Sequence, residues 1–254
     1  MNKFLKFRHH IALAAQTLAA FAALAGSAAS LVWLELQNSA LPSPAAPRWG
    51  ELPPLVIVDA GHGGHDGGAV ANGIIEKDLA LDLARRLKRE LEAAGLRVHT
   101  TRDSDTFLPL EDRAALAAKH SAAAFVSVHL NTDGEGSDAA GIETYFADAA
   151  PLSARRLGSK PTSSASFASV VQRMVCASTQ ATDRGTKARS YAVVAQAACP
   201  AVLVECGFIT STSESAKLKR EAYRDQIAAG IAQGVAIFLQ GQPASPTLIA
   251  TAVK

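Results

Sequence analysis

"VIVDAGHGGHDGGAVANGIIEKD", Val56 to Asp78, carries the strongest local structural signal in the chain. It opens on an apolar β-branched run, passes through six glycines carrying His62, His65 and Asp66, and ends where a helical pattern begins at Glu76. Leucines at 79, 83, 87 and 91 keep one face of that pattern apolar, and Gly95 supplies its stop. The stretch is therefore strand, glycine loop, helix, the opening unit of an α/β sheet.

The same alternation continues to about Gln240. Short apolar runs at Leu55, Arg97, Ala124, Gly141, Tyr191 and Ala201 read as strands, several of them apolar nearly throughout, as strands covered on both faces are. Helical patterns lie between them at 76–94, 109–120, 167–179 and 213–239, the last as one helix or two. The expectation is a single α/β domain over 55–240, a twisted, mostly parallel sheet of about six strands flanked by helices on both faces.

Outside that domain the composition changes. Lys3, Lys6 and Arg8 precede an uncharged run from Ile11 to Leu34, the layout of an export signal. "AGSAAS" at 25–30 offers a cleavage site, yet the 24-residue run is also long enough to stay as a membrane anchor, so 1–37 is a signal peptide or a signal anchor. Five prolines between Asn38 and Pro54 mark 38–54 as a linker, and 241–254 reads as a disordered tail. The formal net charge is only +2, and those three N-terminal cations exceed it. No basic stripe remains for nucleic acid.

A glycine loop after a strand invites a phosphate-binding reading, but the spacing denies it. A dinucleotide fingerprint begun at Gly61 meets Asp66 where its third glycine belongs, and no P-loop lysine follows. A metal site fits better. His62 lies just past the carboxyl end of the first strand, where open α/β sheets place ligands. "FVSVHLN" carries a second histidine, His129, to the end of another strand. With Glu76 they make a donor set of the kind that holds catalytic zinc and leaves one position for substrate; hydrogen-bonded structural histidines are the competing reading. Glu205 ends the apolar strand "AVLVE", where a carboxylate is a base, a paired group, or a surface residue.

Several motifs in one order narrow this. "VDAGHGGHDGGA", the helix and strand through "RVHTTRDSD", "LEDRAALAAKHSAAAFVSVHLN", "GIETYF", "DRGTK" and "PAVLVECGFITS" together resemble the zinc-dependent N-acetylmuramoyl-L-alanine amidases of the amidase-3 type. The likeness runs from Leu55 to Leu239. It implies one zinc ion on His62, Glu76 and His129, Glu205 as catalytic glutamate, and peptidoglycan as substrate. The bond cut would be the amide between the lactyl group of N-acetylmuramic acid and L-alanine of the stem peptide. Export to the periplasm or cell envelope agrees with that substrate. A zinc exopeptidase of similar architecture and a non-catalytic cell-wall-binding module are the alternatives.

Other residues carry lesser expectations. Asp59 is a candidate acceptor for a ligand histidine, and Asn131 either bonds substrate or starts a turn. His65 is expected in solvent, His99 and His120 outside the site, and Arg102 and Arg113 as structural ion-pair donors. Of Cys176, Cys199 and Cys206, any bridge should involve Cys176, since the other two bracket one strand. Some relatives carry a long insertion that plugs the zinc site until an activator removes it. Here the interval from Ala147 to Ser166 is short and lacks glutamate, so the domain is expected to need no activator.

Overall fold

The computed structural model describes residues 52–134, 136–147 and 164–241. The signal or anchor over 1–37, most of the linker, the tail beyond Gly241 and the interval 148–163 lie outside the described residues. Among those described, no helix is long and apolar enough to cross a membrane.

The described residues form eight strands: β1 (Leu55–Ala60), β2 (Val70–Ala71), β3 (Ile74–Ile75), β4 (Arg97–Thr100), β5 (Ala124–Asn131), β6 (Ile142–Phe146), β7 (Asp183–Ala188) and β8 (Ala201–Phe208). They also form six helices, α1 (Glu76–Ala93), α2 (Leu110–Lys119), α3 (Ser164–Thr179), α4 (Ala192–Ala195), α5 (Thr212–Leu218) and α6 (Glu221–Gln240). Six strands form one sheet in the order β4-β1-β5-β8-β6-β7. The first four run parallel; β6 is antiparallel to β8, and β7 runs with β6. The strands with apolar sequences, β1, β5 and β8, are the central ones, buried on both faces.

One expected strand is misplaced. The run at Tyr191 is the short helix α4, which buries Val193 and Val194 against the sheet, and the sixth strand is instead "DRGTKA". As an edge strand bonded only to β6, it needs no apolar faces, so hydrophobicity did not mark it. Helix α1 matches the leucine spacing: Leu83, Leu87 and Leu91 are buried. Gly95, with φ of +82°, turns the chain so that Leu96 N donates to Leu91 O and Gly95 N to Glu92 O.

The two faces of the sheet are covered unequally. On one, Val56, Val58, Val126, Val128, Val202 and Val204 pack under the long helices α1, α3 and α6. Helices α3 and α6 approach closely through Gly230 and Gly234, where an added Cβ would lie 2.7 Å from Val175 Cα and Val171 Cα. On the other face, among the described residues, Leu55, Ile57, Phe125, Ala201 and Leu203 meet the ten-residue α2 and the four-residue α4. The polar ends of β5 and β8 therefore emerge on the thinly covered side.

Candidate metal centre and cleft

Register places the key groups in one row. His129 on β5 is the direct partner of Glu205 on β8, and Glu205 is the direct partner of Glu143 on β6. Residues opposite one another across a ladder point to the same face, so all three rise together from the thinly covered side. Cys206, one residue on, turns to the other face, into the larger core.

His62 and Glu76 reach this row from the glycine loop. His62 lies one glycine beyond β1 and adopts φ of +59°, a left-handed conformation that histidine tolerates at some cost. Buried arginines hold it there. Arg113 donates to His62 O (2.6 Å), Ala60 O (2.6 Å) and the Asp59 carboxylate (3.0 Å), while Arg102 donates to Ala60 O (3.0 Å), Gly61 O (2.7 Å) and Lys77 O (2.8 Å). Arg113 is thus an ion-pair donor as expected. Arg102 binds carbonyls instead, because this loop exposes more of them than its own amides can satisfy. Glu76 opens α1, delivered by the hairpin β2–β3, whose Asn72-Gly73 turn has both residues at positive φ.

At the centre, Glu76 Oε1 lies 3.1 Å from His62 Nε2 and 3.0 Å from His129 Nδ1. It also accepts from Leu130 N (3.1 Å), and Oε2 accepts from Ala69 N (3.0 Å). One donor atom from each of His62, Glu76 and His129 falls within 4.8 Å of the others, and among the described residues this is the one such group of three or more. The electrostatics favour positive charge at that point. The hydrogen bond to Glu76 raises His62 to about 9, against the opposing effect of burial. Burial alone would raise Glu76, but its bonds to His129 and His62 hold it well below the usual carboxylate range.

Glu205 stands beside this group in the opposite condition. Burial pushes its carboxyl up to about 7, although the neighbouring His129 pulls it down. Its Oε2 is out of solvent and has no hydrogen-bond partner among the described residues. A buried carboxylate oxygen left without a partner is costly in a resting fold; it fits a group whose partner is a reactant. Two imidazoles, one carboxylate and an adjacent base suit a borderline ion such as zinc with one position left for chemistry.

The glycines of the opening stretch now have a reason. A Cβ on Gly61 would lie 2.3 Å from His129 Cε1 and 2.5 Å from its Nε2; one on Gly68 would lie 2.7 Å from both Glu76 Oε2 and His62 Cδ2. The backbone lies directly against the side chains of this candidate centre. Gly61→Ala should therefore turn the His129 ring out of the centre and weaken metal binding by about tenfold or more, within the range seen when support for a ligand is disturbed. Equilibrium metal titration against the parent checks it, and an unchanged affinity would contradict the packing.

Not every expected role falls where the sequence suggested. Asp59 is taken by Thr101 Oγ1 (2.7 Å), Ser127 Oγ (2.6 Å) and Arg113, so it braces strand ends rather than a histidine. The acceptor at His62 Nδ1 is Asp66 Oδ2, at 2.9 Å, four residues along the loop. The His-x-x-x-Asp spacing was the available signal. Asn131 does both things weighed for it in part: its Oδ1 accepts from Thr132 N to start a turn, and its Nδ2 donates to Glu143 Oε1, a protein group rather than substrate. His65 is exposed and stacks on Phe107, and His99 stacks on His120 away from the centre. All three cysteines are free.

A cleft of about 330 Å³ reaches His62 and His129 from the side of the β4–α2 loop, with Phe107, Leu108 and Leu110 as its apolar wall. Candidate ligands at the floor of an open cleft, with a buried carboxyl beside them, are the groups that hydrolysis of a polar bond needs.

Comparison with known proteins gives a consistent result. The family model described as N-acetylmuramoyl-L-alanine amidase matches residues 56–236. A Bacillus subtilis protein, YqiI, is 37% identical over 210 residues, covering 81% of this chain and 96% of that one. The N-acetylmuramoyl-L-alanine amidase LytC of Bacillus subtilis is 35% identical over 183 residues, 72% of this chain but 35% of its own length. Among solved structures, the N-acetylmuramoyl-L-alanine amidase of Clostridium difficile 630 superposes with a TM-score of 0.69 at 36% identity, covering 76% of this chain and all of that one.

Proposed function

The chain belongs to the N-acetylmuramoyl-L-alanine amidase family, and from that membership we propose that it is an exported, zinc-dependent peptidoglycan hydrolase. It cuts the amide between the lactyl group of N-acetylmuramic acid and L-alanine of the stem peptide. The observation that carries the catalytic assignment is the unpartnered, buried Oε2 of Glu205 beside the His62–Glu76–His129 group.

Those three side chains would hold the ion. When bound, zinc supplies Lewis acidity toward the amide carbonyl and toward water. The protein supplies the rest. Glu205 takes a proton from the attacking water as the new C–O bond forms, then passes it to the alanine nitrogen as the C–N bond breaks, because an amine leaves poorly without it. The products are a lactyl carboxylate and a peptide with a free amino terminus. Asp66 holds the His62 tautomer through Nδ1. The family match does not favour an exopeptidase or a wall-binding module.

The N-terminal cations and apolar run support export to the periplasm or envelope, with the run cleaved or kept as an anchor. The short interval between Ala147 and Ser166 supports activity without an activator protein. Both readings enter one test. The purified chain, with zinc and no other protein, should release stem peptides with free alanine termini from peptidoglycan, as read by mass spectrometry, and should stop when a chelator is added. Activity indifferent to chelation would overturn the metal assignment, and inertness relieved by an envelope extract would overturn the activator reading.

The pH profile is a second test. Glu205 must be ionised to accept a proton, and burial raises it to about 7; a cation held by the three ligands draws that value down. The acid limb of kcat/KM should therefore fall between the ordinary glutamate value of ~4.3 and about 7. A rate flat down to pH 4 would exclude Glu205 as the base.

A further inference from the structure

The row of polar groups continues past Glu205. Glu143, on the next strand, is almost wholly buried, and its carboxylate receives four donors. Asn131 Nδ2 (2.8 Å) and Tyr145 Oη (2.5 Å) donate to Oε1; Arg184 Nε (2.8 Å) and Lys187 Nζ (2.5 Å) donate to Oε2. Two cations on one carboxylate leave a net positive charge. Both are about one-third exposed, Arg184 at 35% and Lys187 at 38%. Among the described residues no acceptor engages Arg184 Nη1 or Nη2. Arg184 is further held over the Phe208 ring, 4.7 Å from its centroid, and Lys187 lies 5.7 Å from that of Tyr145. Together they are donors fixed against Glu143 on the edge strand β7, each partly open to solvent and with hydrogen-bonding capacity beyond that carboxylate.

Order across the sheet gives this shelf its meaning. The sequence of strands β1, β5, β8, β6, β7 carries in turn His62, His129, Glu205, Glu143, and the two cations. On the amidase reading, Glu205 hands its proton to the departing alanine nitrogen, so the peptide leaves on the Glu205 side, over β6 and β7. The apolar wall of Phe107, Leu108 and Leu110 lies on the opposite flank. Strand β7 is two strand spacings, ~10 Å, from β8. An extended peptide covers about 3.5 Å per residue, so a carboxylate borne by the residue after alanine comes within reach of the long cationic side chains of β7.

We propose that Arg184 and Lys187, positioned by Glu143, form the seat for a carboxylate on the second residue of the stem peptide, and so select charged over amidated peptides. This rests on the amidase reading for the direction of the peptide. Glu143 is a positioning residue here: its buried carboxylate fixes the two cations.

The test compares N-acetylmuramoyl-L-alanyl-D-glutamate with the same compound bearing carboxamides in place of its carboxylates. With the full chain, kcat/KM should favour the carboxylate about tenfold or more, chiefly through KM, because a site built for an ion pair is left unsatisfied by the amide. Arg184→Gln and Lys187→Gln, each leaving one cation on Glu143, should reduce that ratio below about threefold, while Arg184→Lys should retain most of it. A parent ratio near one, or variants that slow both substrates equally and keep the ratio, would overturn the proposal. Calorimetric titration with the product L-alanyl-D-glutamate and its diamide separates this inference from the amidase reading. If neither substrate is cleaved but the dipeptide binds more tightly than its diamide in a manner dependent on Arg184, the seat stands and the amidase reading falls. If binding is also indifferent to charge, both fall.

Discussion

Glu205→Gln should leave metal content and fold intact while reducing turnover of peptidoglycan by about 10²-fold or more. The substitution keeps shape and volume. It also breaks no hydrogen bond at Oε2, since that atom has none among the described residues. On the proposed mechanism, what it removes is the proton acceptor. The stability consequence has a sign that tells this role from a structural one. A carboxyl raised from its unfolded value near 4.5 to about 7 by burial contributes stability that is full below the unfolded pKa and is lost as pH rises through 7. Glutamine has no such loss, so at pH 8 the metal-free variant should melt at or above the parent temperature. A variant that digests wall material at the parent rate would move the base elsewhere; one that melts well below the parent would make Glu205 a structural residue.

That result would bear on how much a sequence of this kind discloses. The strand, loop and helix of the opening stretch were legible because their signals are local: β-branched run, glycines, a four-residue leucine spacing and a terminal Gly95. The order of the sheet was not, since nothing local to "DRGTKA" says that it pairs with β6, and a polar edge strand resembles a loop. For the same reason Arg184 and Lys187 were invisible as neighbours of the centre. Glu143 is the instructive case. A glutamate inside the apolar run "GIETYF" is a conspicuous anomaly, but only the register that sets it opposite Glu205 gives it a place in the site. His62, Glu76 and His129 stood out as chemistry at strand and helix ends; that Asp66 rather than Asp59 meets His62 depends on the path of a loop whose glycines permit several paths. Asp59 was drawn instead to Ser127 on the neighbouring strand β5 and to Thr101 just past the end of β4.

His129→Ala tests the other half of the site, and its effect on metal should be the largest of any single change argued here. With one imidazole gone the ion keeps two protein ligands, and affinity should fall by more than the ~10–100-fold typical of losing a group that merely supports a ligand. Asp66→Asn provides that smaller effect for comparison, because Asp66 touches His62 Nδ1 and not the centre itself. The fold should survive. Glu76, the buried carboxylate at risk when a partner is removed, retains bonds from Leu130 N, Ala69 N and His62, and the space vacated over Gly61 adjoins the cleft, where water can enter. Elemental analysis after dialysis against buffered zinc should find about one ion per parent chain, clearly less in Asp66→Asn at limiting zinc, and almost none in His129→Ala, with circular dichroism unchanged throughout. Full occupancy in His129→Ala would remove that residue from the ligand set, and the row of His129, Glu205 and Glu143 would then need a different explanation for why three ionisable side chains share one face of a buried sheet.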